Sequence, residues 1–283
     1  MALGAPSQTA ISSAMYRALH LLWDAPPHVF CDTFAYAMVG PEAEAKAAAM
    51  HDGLSPHAGS AARARFVVRH RIAEDELERA VARGTSQYLV LGAGLDSFVF
   101  RRPDLSRRLT VFEVDHPSSQ SWKRARLAAL SLPEPAGLTF VPVDFEHDDL
   151  LACLRSAGFN TRAVSFVAML GVSQYITARA LAETLRLVAQ FHSGSAVCLG
   201  YVVPEQMWDD PAREFAAVAL PRAEALGEPF ISFYTPNELE ALVLDCGFHT
   251  VQHYGPEAEM AYFSGRADGL RPSQLGREVV IAV

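Results

Sequence analysis

An α/β protein built on a doubly wound, mostly parallel sheet is what this sequence predicts, and three observations carry the expectation. From residue 87 onward short β-rich apolar runs alternate with helical stretches. Strands joined by helices run parallel through right-handed crossovers. The first run continues as "YLVLGAGLDSF" at 88–98, stopping at two glycines one residue apart and then an acid, the form of a strand-to-helix turn against which a ligand packs. Half of the 283 residues are hydrophobic, enough for a large buried core. One main domain is expected, with a helical region at 1–84 packed on an α/β core at 85–283.

In chain order, residues 9–24 and 61–83 carry apolar residues at helical spacing, and Gly84 supplies a stop after "AVAR". Strands are then expected at 87–91 (QYLVL), 109–114 (LTVFEV), 138–142 (LTFVP), 164–169 (VSFVAM) and 195–200 (SAVCLG). Residues 204–229 form a connection longer than an ordinary loop and include Trp208, Phe215 and Met207, which suggests a lid or substrate wall. "PNELEALVLDCGF" is a helix with a Pro-Asn start and a Gly stop, and two last strands at 249–254 and 278–283 close the sheet.

Composition narrows the partners. Against 32 acidic residues stand 24 basic ones, a formal charge of -8, and no Lys/Arg cluster could neutralise a run of phosphates. Nucleic acid is therefore not expected. Cys31, Cys153, Cys198 and Cys246 are scattered without a CxxC pair or a histidine at ligand spacing, so reduced thiols are expected and no metal site. The N-terminal stretch shows no basic region leading into a long apolar core, and no segment has the length of a membrane span, so a cytoplasmic protein is expected.

The glycine turn limits the ligand. Gly92 and Gly94 let the backbone pass close to it, but Ser97 stands where a dinucleotide site wants a third glycine, and Asp96 puts negative charge near a pyrophosphate position. At the tip of the next strand, "FEVDHP", Asp115 could accept from both hydroxyls of a ribose, with Glu113 on the same face one pair earlier. The third strand ends "VPVDFE", where Asp144 could accept from an adenine amino group while Phe145 lies on the ring. Three such strand ends describe a nucleoside without phosphates.

"LGAGLDSFVFR", "VFEVDHP", "VPVDF" and "GVSQYI" together resemble the S-adenosylmethionine-dependent methyltransferases of the leucine carboxyl methyltransferase type, and the likeness runs to "FSGRADGLRP" at 263–272. The resemblance implies a class I methyltransferase fold with extra N-terminal helices and a lid insertion, with S-adenosyl-L-methionine as cofactor. It implies that Gly92, Ala93, Gly94 and Asp96 form the cofactor turn. An arginine on the preceding helix would pair with the methionyl carboxylate: Arg71 is the best match and Arg69 the alternative. Leu170 stands on the cofactor side, where the family often has a glutamate; Tyr175 is in register, and Tyr201 matches a tyrosine facing the acceptor.

O-methyl transfer to a carboxyl, or to a hydroxyl, group of a small molecule or peptide C-terminus follows as the expected activity, as in natural-product tailoring. An ionised carboxylate needs only positioning, whereas a phenol or alcohol needs a base. His116 is the first candidate base, alongside Tyr201 as the acceptor-side group, and His253 is the second. Two other readings stand beside this one: a cofactor-binding scaffold without activity, and a nucleotide-dependent oxidoreductase, which the missing third glycine disfavours.

Overall fold

Seven strands build the centre of the molecule: β1 (Gln87–Leu91), β2 (Thr110–Asp115), β3 (Leu138–Pro142), β4 (Ser165–Met169), β5 (Ala196–Val202), β6 (Thr250–Tyr254) and β7 (Gly276–Ala282). They form one sheet in the order β3-β2-β1-β4-β5-β7-β6. The first five run parallel, and β7 enters antiparallel between β5 and β6. Each expected strand is found with its ends within two residues. This computed structural model describes residues 7–283 apart from Pro41 and Glu146. The first six residues of the stretch read as lacking a leader lie outside the described residues.

Helices α1 (Gln8–Trp23), α2 (Ala35–Val39), α3 (Ala43–Ala49) and α4 (Pro56–Ala82) precede the sheet. The short α5 (Phe98–Arg101) and α6 (Pro103–Ser106) follow β1, and α7 (Pro117–Ala129), α8 (Leu150–Ser156) and α9 (Ala178–Val188) make the next crossovers. α10 (Asp210–Ala225) and α11 (Pro236–Asp245) lie between β5 and β6, and α12 (Pro256–Ala261) between β6 and β7. α4 begins five residues before the expected start because Ser55 caps it, its side chain accepting from Ala58 N–H, with Pro56 in the first turn. The segment at 204–229 is a 3-10 turn, Glu205–Met207, followed by α10.

Alternation along the strands divides the core. Leu89, Leu91, Phe112, Val197, Leu199, Val279 and Ile281 pack on one face with Leu181, Leu185 and Val243 of α9 and α11. Tyr88, Val90, Val111, Phe166 and Cys198 pack on the other with Val67, Val68 and Ile72 of α4. A third cluster joins Ile11, Met15 and Leu19 of α1 to Leu95 after the glycine turn and Leu127 of α7. The four cysteines are free. Among the described residues no helix is long and apolar enough to cross a membrane, and no group of three or more His, Cys, Asp or Glu side chains could hold a metal.

A buried ionic network fixes the N-terminal helices to the glycine turn. Arg17 of α1 donates through Nε to Asp32 Oδ2 at 2.8 Å and through Nη2 to the Leu95 carbonyl at 2.7 Å. Asp32 Oδ1 accepts from Ser97 Oγ at 2.7 Å and from the Phe34 and Ala35 N–H groups. Arg101 donates to Ser97 Oγ at 2.7 Å and to Glu74 at 2.5 Å. Burial works to raise the Asp32 carboxyl, but Arg17 and Arg101 outweigh it and hold it below its ordinary value. Its contribution to stability is therefore present above an unfolded value near 3.9 and lost as pH falls through the lower folded value.

Asp32→Asn leaves Arg17 and Arg101 without their shared charge in a dry site. Breaking such a buried pair from one side destabilises by about 3–5 kcal/mol. The expected outcome is a lowered urea midpoint at pH 7, with the gap to wild type beginning to shrink below about pH 4, where the unfolded-state carboxyl takes up its proton, and closing only below the lower folded value. An unchanged midpoint at pH 7 would remove the anchoring role.

Candidate functional site

The glycine turn meets β2 at the carboxyl end of the sheet. Gly92 (φ 69°) and Gly94 (φ 49°) take left-handed backbone that a side chain would strain. The Gly92 and Ala93 N–H groups both donate to the Val114 carbonyl, at 2.9 and 3.0 Å. At the strand's tip, Asp115 accepts from Gly94 N–H at 2.5 Å and from His116 N–H at 2.7 Å. Burial raises the Asp115 carboxyl, opposed by these two backbone donors. Asp96 accepts from Phe98 N–H at 2.8 Å at the start of α5. α1 crosses directly above: a Cβ on Gly94 would stand 2.9 Å from the Ala10 methyl.

Beside β2, the end of β3 brings Asp144 and Phe145 to the same edge. His147 Nδ1 lies 3.0 Å from Asp144 Oδ2, and the Asp144 N–H donates to Asp148 at 2.8 Å. Phe145 is partly buried against the core. His116 caps α7, its Nδ1 facing Ser118 Oγ at 2.7 Å, and its Nε2 is 4.0 Å from Asp144 Oδ2. The turn, Asp115 and Asp144 thus sit on three adjacent strand ends, each about 4.8 Å from the next in the sheet.

The geometry bears on several of the expected site residues. Arg71 points away from the turn: it is exposed, donates to Asp75 at 2.8 Å and lies near the Tyr262 ring. Two helix positions rotate a side chain by about 200°, so Arg69 takes the opposite face, where it is partly buried. Glu113 does not reach the strand tip, because one pair deeper it is roofed by α7 and paired with Lys123 Nζ at 2.5 Å. Burial, only partly offset by Lys123, pushes its carboxyl up to about 7. His116 and Tyr201 do not share a site, since β1 and β4 lie between their strands and three strand spacings are roughly 14 Å. His253 is on β6, the far edge of the sheet, held by Glu240 at 3.0 Å.

On the other side of the turn, β4 ends at Met169 and is followed by Leu170, partly buried against the core. The Arg69 guanidinium stands over Gly171, 4.4 Å from the Phe66 ring, and donates to Ser13 Oγ of α1 at 2.7 Å. Its Nε is buried without a partner. Burial lowers the Arg69 pKa to about 10, with Glu278 the nearest compensating charge. Tyr175 bonds Thr9 and Gln174 and meets Phe230 edge-on at 5.0 Å.

β5 brings in Tyr201, 3% exposed and opposite Arg277 of β7. Arg65 of α4 binds Glu259 at 2.5 Å, Glu278, and the Gly276 carbonyl at 2.9 Å; Arg277 donates to that same carbonyl at 2.7 Å. Sequence reading missed Ser13, Arg65, Glu278 and Arg277. The signal for Arg277 was available: in "GREVVIAV" it has the parity of Val279 and Ile281, which face the core.

Comparison with known proteins agrees with this frame. The family model for leucine carboxyl methyltransferase matches residues 10–189. A Bacillus subtilis protein provisionally named the S-adenosyl-L-methionine-dependent methyltransferase YktD is 35% identical over 200 residues, covering 70% of this chain. A similarly named Mycobacterium sp. (strain JLS) protein is 28% identical over 223 residues. The chain spans 65% of the length of each of these relatives. In fold it is similar to a protein of Thermobifida fusca provisionally described as a methyltransferase, with TM-score 0.62, 17% identity, and coverage of 92% and 98% of the two chains. A DUF574-family protein of Streptomyces avermitilis gives TM-score 0.57 at 14% identity, covering 96% of each chain. The sheet order, the glycine turn with its strand-tip acids and the match over 10–189 lead to one conclusion: the chain belongs to the leucine carboxyl methyltransferase family, whose cofactor is S-adenosyl-L-methionine.

Proposed function

We propose that this chain is an S-adenosylmethionine-dependent O-methyltransferase acting on a carboxylate of a small molecule or a peptide C-terminus. The observation that carries the reading is Arg69: a partly buried guanidinium whose Nε is buried and unpartnered, with no carboxylate in ion-pair contact among the described residues, standing at the end of β4 while the glycine turn and Asp115 occupy the next two strand ends. An orphaned Nε on a partly buried guanidinium suits a planar anion bound through two N–H groups.

The residues fit the cofactor in kind. Backbone at Gly92–Gly94 offers close approach, Asp115 an acceptor for two ribose hydroxyls, Asp144 and Phe145 an acceptor and a ring on the adenine side, and Arg69 a cation for the methionyl carboxylate. Asp96, Asp115 and Asp144 give that edge a negative set that opposes the phosphates of a dinucleotide. When bound, S-adenosylmethionine supplies a methyl group on a sulfonium sulfur, and its transfer to a carboxylate forms the C–O bond as the C–S bond breaks, with no proton released.

The protein's part is binding, alignment and exclusion of water. α1 and the 204–229 insertion form the cover. Thr9 N–H donates to Glu228 at 3.2 Å, Ser55 Oγ to Glu214 at 2.8 Å, and Arg222 to the Asp52 carbonyl at 3.0 Å. Tyr201 faces the acceptor as a hydrogen-bond donor, since burial first of all raises its pKa and keeps the hydroxyl neutral. A carboxylate acceptor, ionised at neutral pH, is favoured because His116 caps α7 on the adenine side and His253 is held at the far edge of the sheet.

Calorimetry tests the cofactor reading: S-adenosylhomocysteine should bind and NADH should not, and the reverse would sink it. Asp115→Ala should weaken S-adenosylhomocysteine by tenfold or more, about 1.5–3 kcal/mol, because it removes a charged acceptor. Undiminished affinity would withdraw the ribose assignment.

Arg69→Lys should likewise bind S-adenosylhomocysteine at least about tenfold more weakly, since a point charge cannot reproduce the guanidinium fork. Arg71→Lys, on the exposed face of α4, should bind as wild type. The opposite ranking of the two variants would return the carboxylate to Arg71.

A further inference from the structure

Arg277 has the same peculiarity as Arg69 on the other side of the β4–β5 edge. It is 5% exposed, has no carboxylate within ion-pair distance among the described residues, and makes one hydrogen bond, to the carbonyl preceding it. Three guanidinium groups, buried on Arg65 and Arg277 and partly buried on Arg69, lie in the field of two buried carboxylates, Glu259 and Glu278. Arg65 donates directly to both acids. The cluster therefore holds one more cation than anion, and Arg69 and Arg277 are the members left without a direct partner.

Where Arg277 sits decides what the surplus is for. In the β5–β7 register it lies opposite Tyr201, on the face of the sheet that Val279 and Ile281 share with Tyr201. The same packed cluster includes Trp208 and Phe215 from the insertion, and Tyr234. The insertion is tied to the approach to β7: Asp209 caps α10 and accepts from Gln274 N–H at 3.0 Å. A fork of N–H donors, a phenol donor and an apolar wall thus converge at the end of β5, on the opposite side of β4 from the glycine turn.

We propose that Arg277, with Tyr201, binds the carboxylate of the methyl acceptor, so that the acceptor is an anionic carboxylic acid with an apolar body and not a neutral alcohol or phenol. The proposal rests on the methyltransferase reading above and adds to it a residue that selects the acceptor. Two guanidinium groups, one for the cofactor's carboxylate and one for the acceptor's, account for the two members of the cluster without a direct partner. Burial lowers the Arg277 pKa despite the nearby Glu259, the condition in which a bound anion is stabilising. Arg277 is a binding residue here, and Tyr201 supplies the second hydrogen bond.

The test uses S-adenosylhomocysteine-loaded protein and four probes followed by ligand-observed NMR titration: benzoate and hexanoate, with benzamide and hexanamide as neutral counterparts. Wild type should bind each acid at least about tenfold more tightly than its amide, as expected for a charge-assisted fork. Arg277→Gln should erase that preference while S-adenosylhomocysteine affinity and the urea midpoint stay at wild-type values, which a merely structural arginine would not do. Arg277→Lys should weaken the acids but keep part of the preference, and it decides the matter together with the wild-type comparison if the glutamine variant does not fold. Acids bound by wild type no better than amides, or acids bound equally by wild type and Arg277→Gln, overturn the assignment and leave the methyltransferase reading standing. Wild type that fails to bind S-adenosylhomocysteine overturns that reading instead.

Discussion

The Asp32 carboxylate is the point on which the rest of the architecture depends. It lies in the connection between α1 and α2, yet it binds Arg17 of α1, Ser97 after the glycine turn and the N–H groups that start α2, with Arg101 close by. Desolvating one acid and two guanidinium groups is recovered only when every partner is in place. The glycine turn is therefore held from two directions, by Val114 below and by Arg17 through the Leu95 carbonyl above. The N-terminal helices do more than decorate the sheet: they position the loop that defines the site.

Charge is divided along the carboxyl edge of the sheet. On the β1–β2–β3 side stand Asp96, Asp115 and Asp144, set to accept from hydroxyl and amino groups. On the β4–β5–β7 side stand Arg69 and Arg277, without a direct carboxylate partner among the described residues, beside Arg65, which is paired with Glu259 and Glu278. A zwitterionic nucleoside suits such a polarity, because its sugar and base donate while its amino-acid end carries a carboxylate. Within the second half, Glu278 lies close to the backbone at Leu170 and Gly200, linking the cation cluster to both strand ends.

Much of this was legible in the sequence, for identifiable reasons. Strands buried on both faces read as continuous apolar runs, so β1, β4 and β5 stand out as QYLVL, VSFVAM and SAVCLG. The turn and the tip acids are local in sequence and fell to spacing. The phase of α4 did not, because α1, α10 and the sheet enclose that helix, burying Arg63 and Arg65 and partly burying Arg69. With three of its arginines wholly or partly inside, the helix lacks the simple contrast between a wet and a dry face that would have separated Arg69 from Arg71. Glu113 misled for a related reason: alternation gives the face of a strand, and the depth beneath α7 that pairs it with Lys123 comes from tertiary packing. The Asp32 network joins positions 15 and 65 residues apart and has no local signature.

The placing of β7 bears on how the chain is made. β6 is synthesised first, but its neighbour in the sheet is β7, which begins at Gly276, and β7 is also what covers the open edge of β5. A ribosome that has extruded the chain through Tyr254 therefore presents two unsatisfied β edges at once, the apolar flank of β5 and an isolated strand. Both are closed in one event when Gly276–Ala282 threads between them, and that event also delivers Glu278 to Arg65 and seats Arg277 opposite Tyr201. Completion of the sheet and assembly of the buried cluster of Arg65, Arg277 and Glu278 are thus the same step of biogenesis, so a nascent chain stalled before β7 exposes aggregation-prone edges and lacks that cluster.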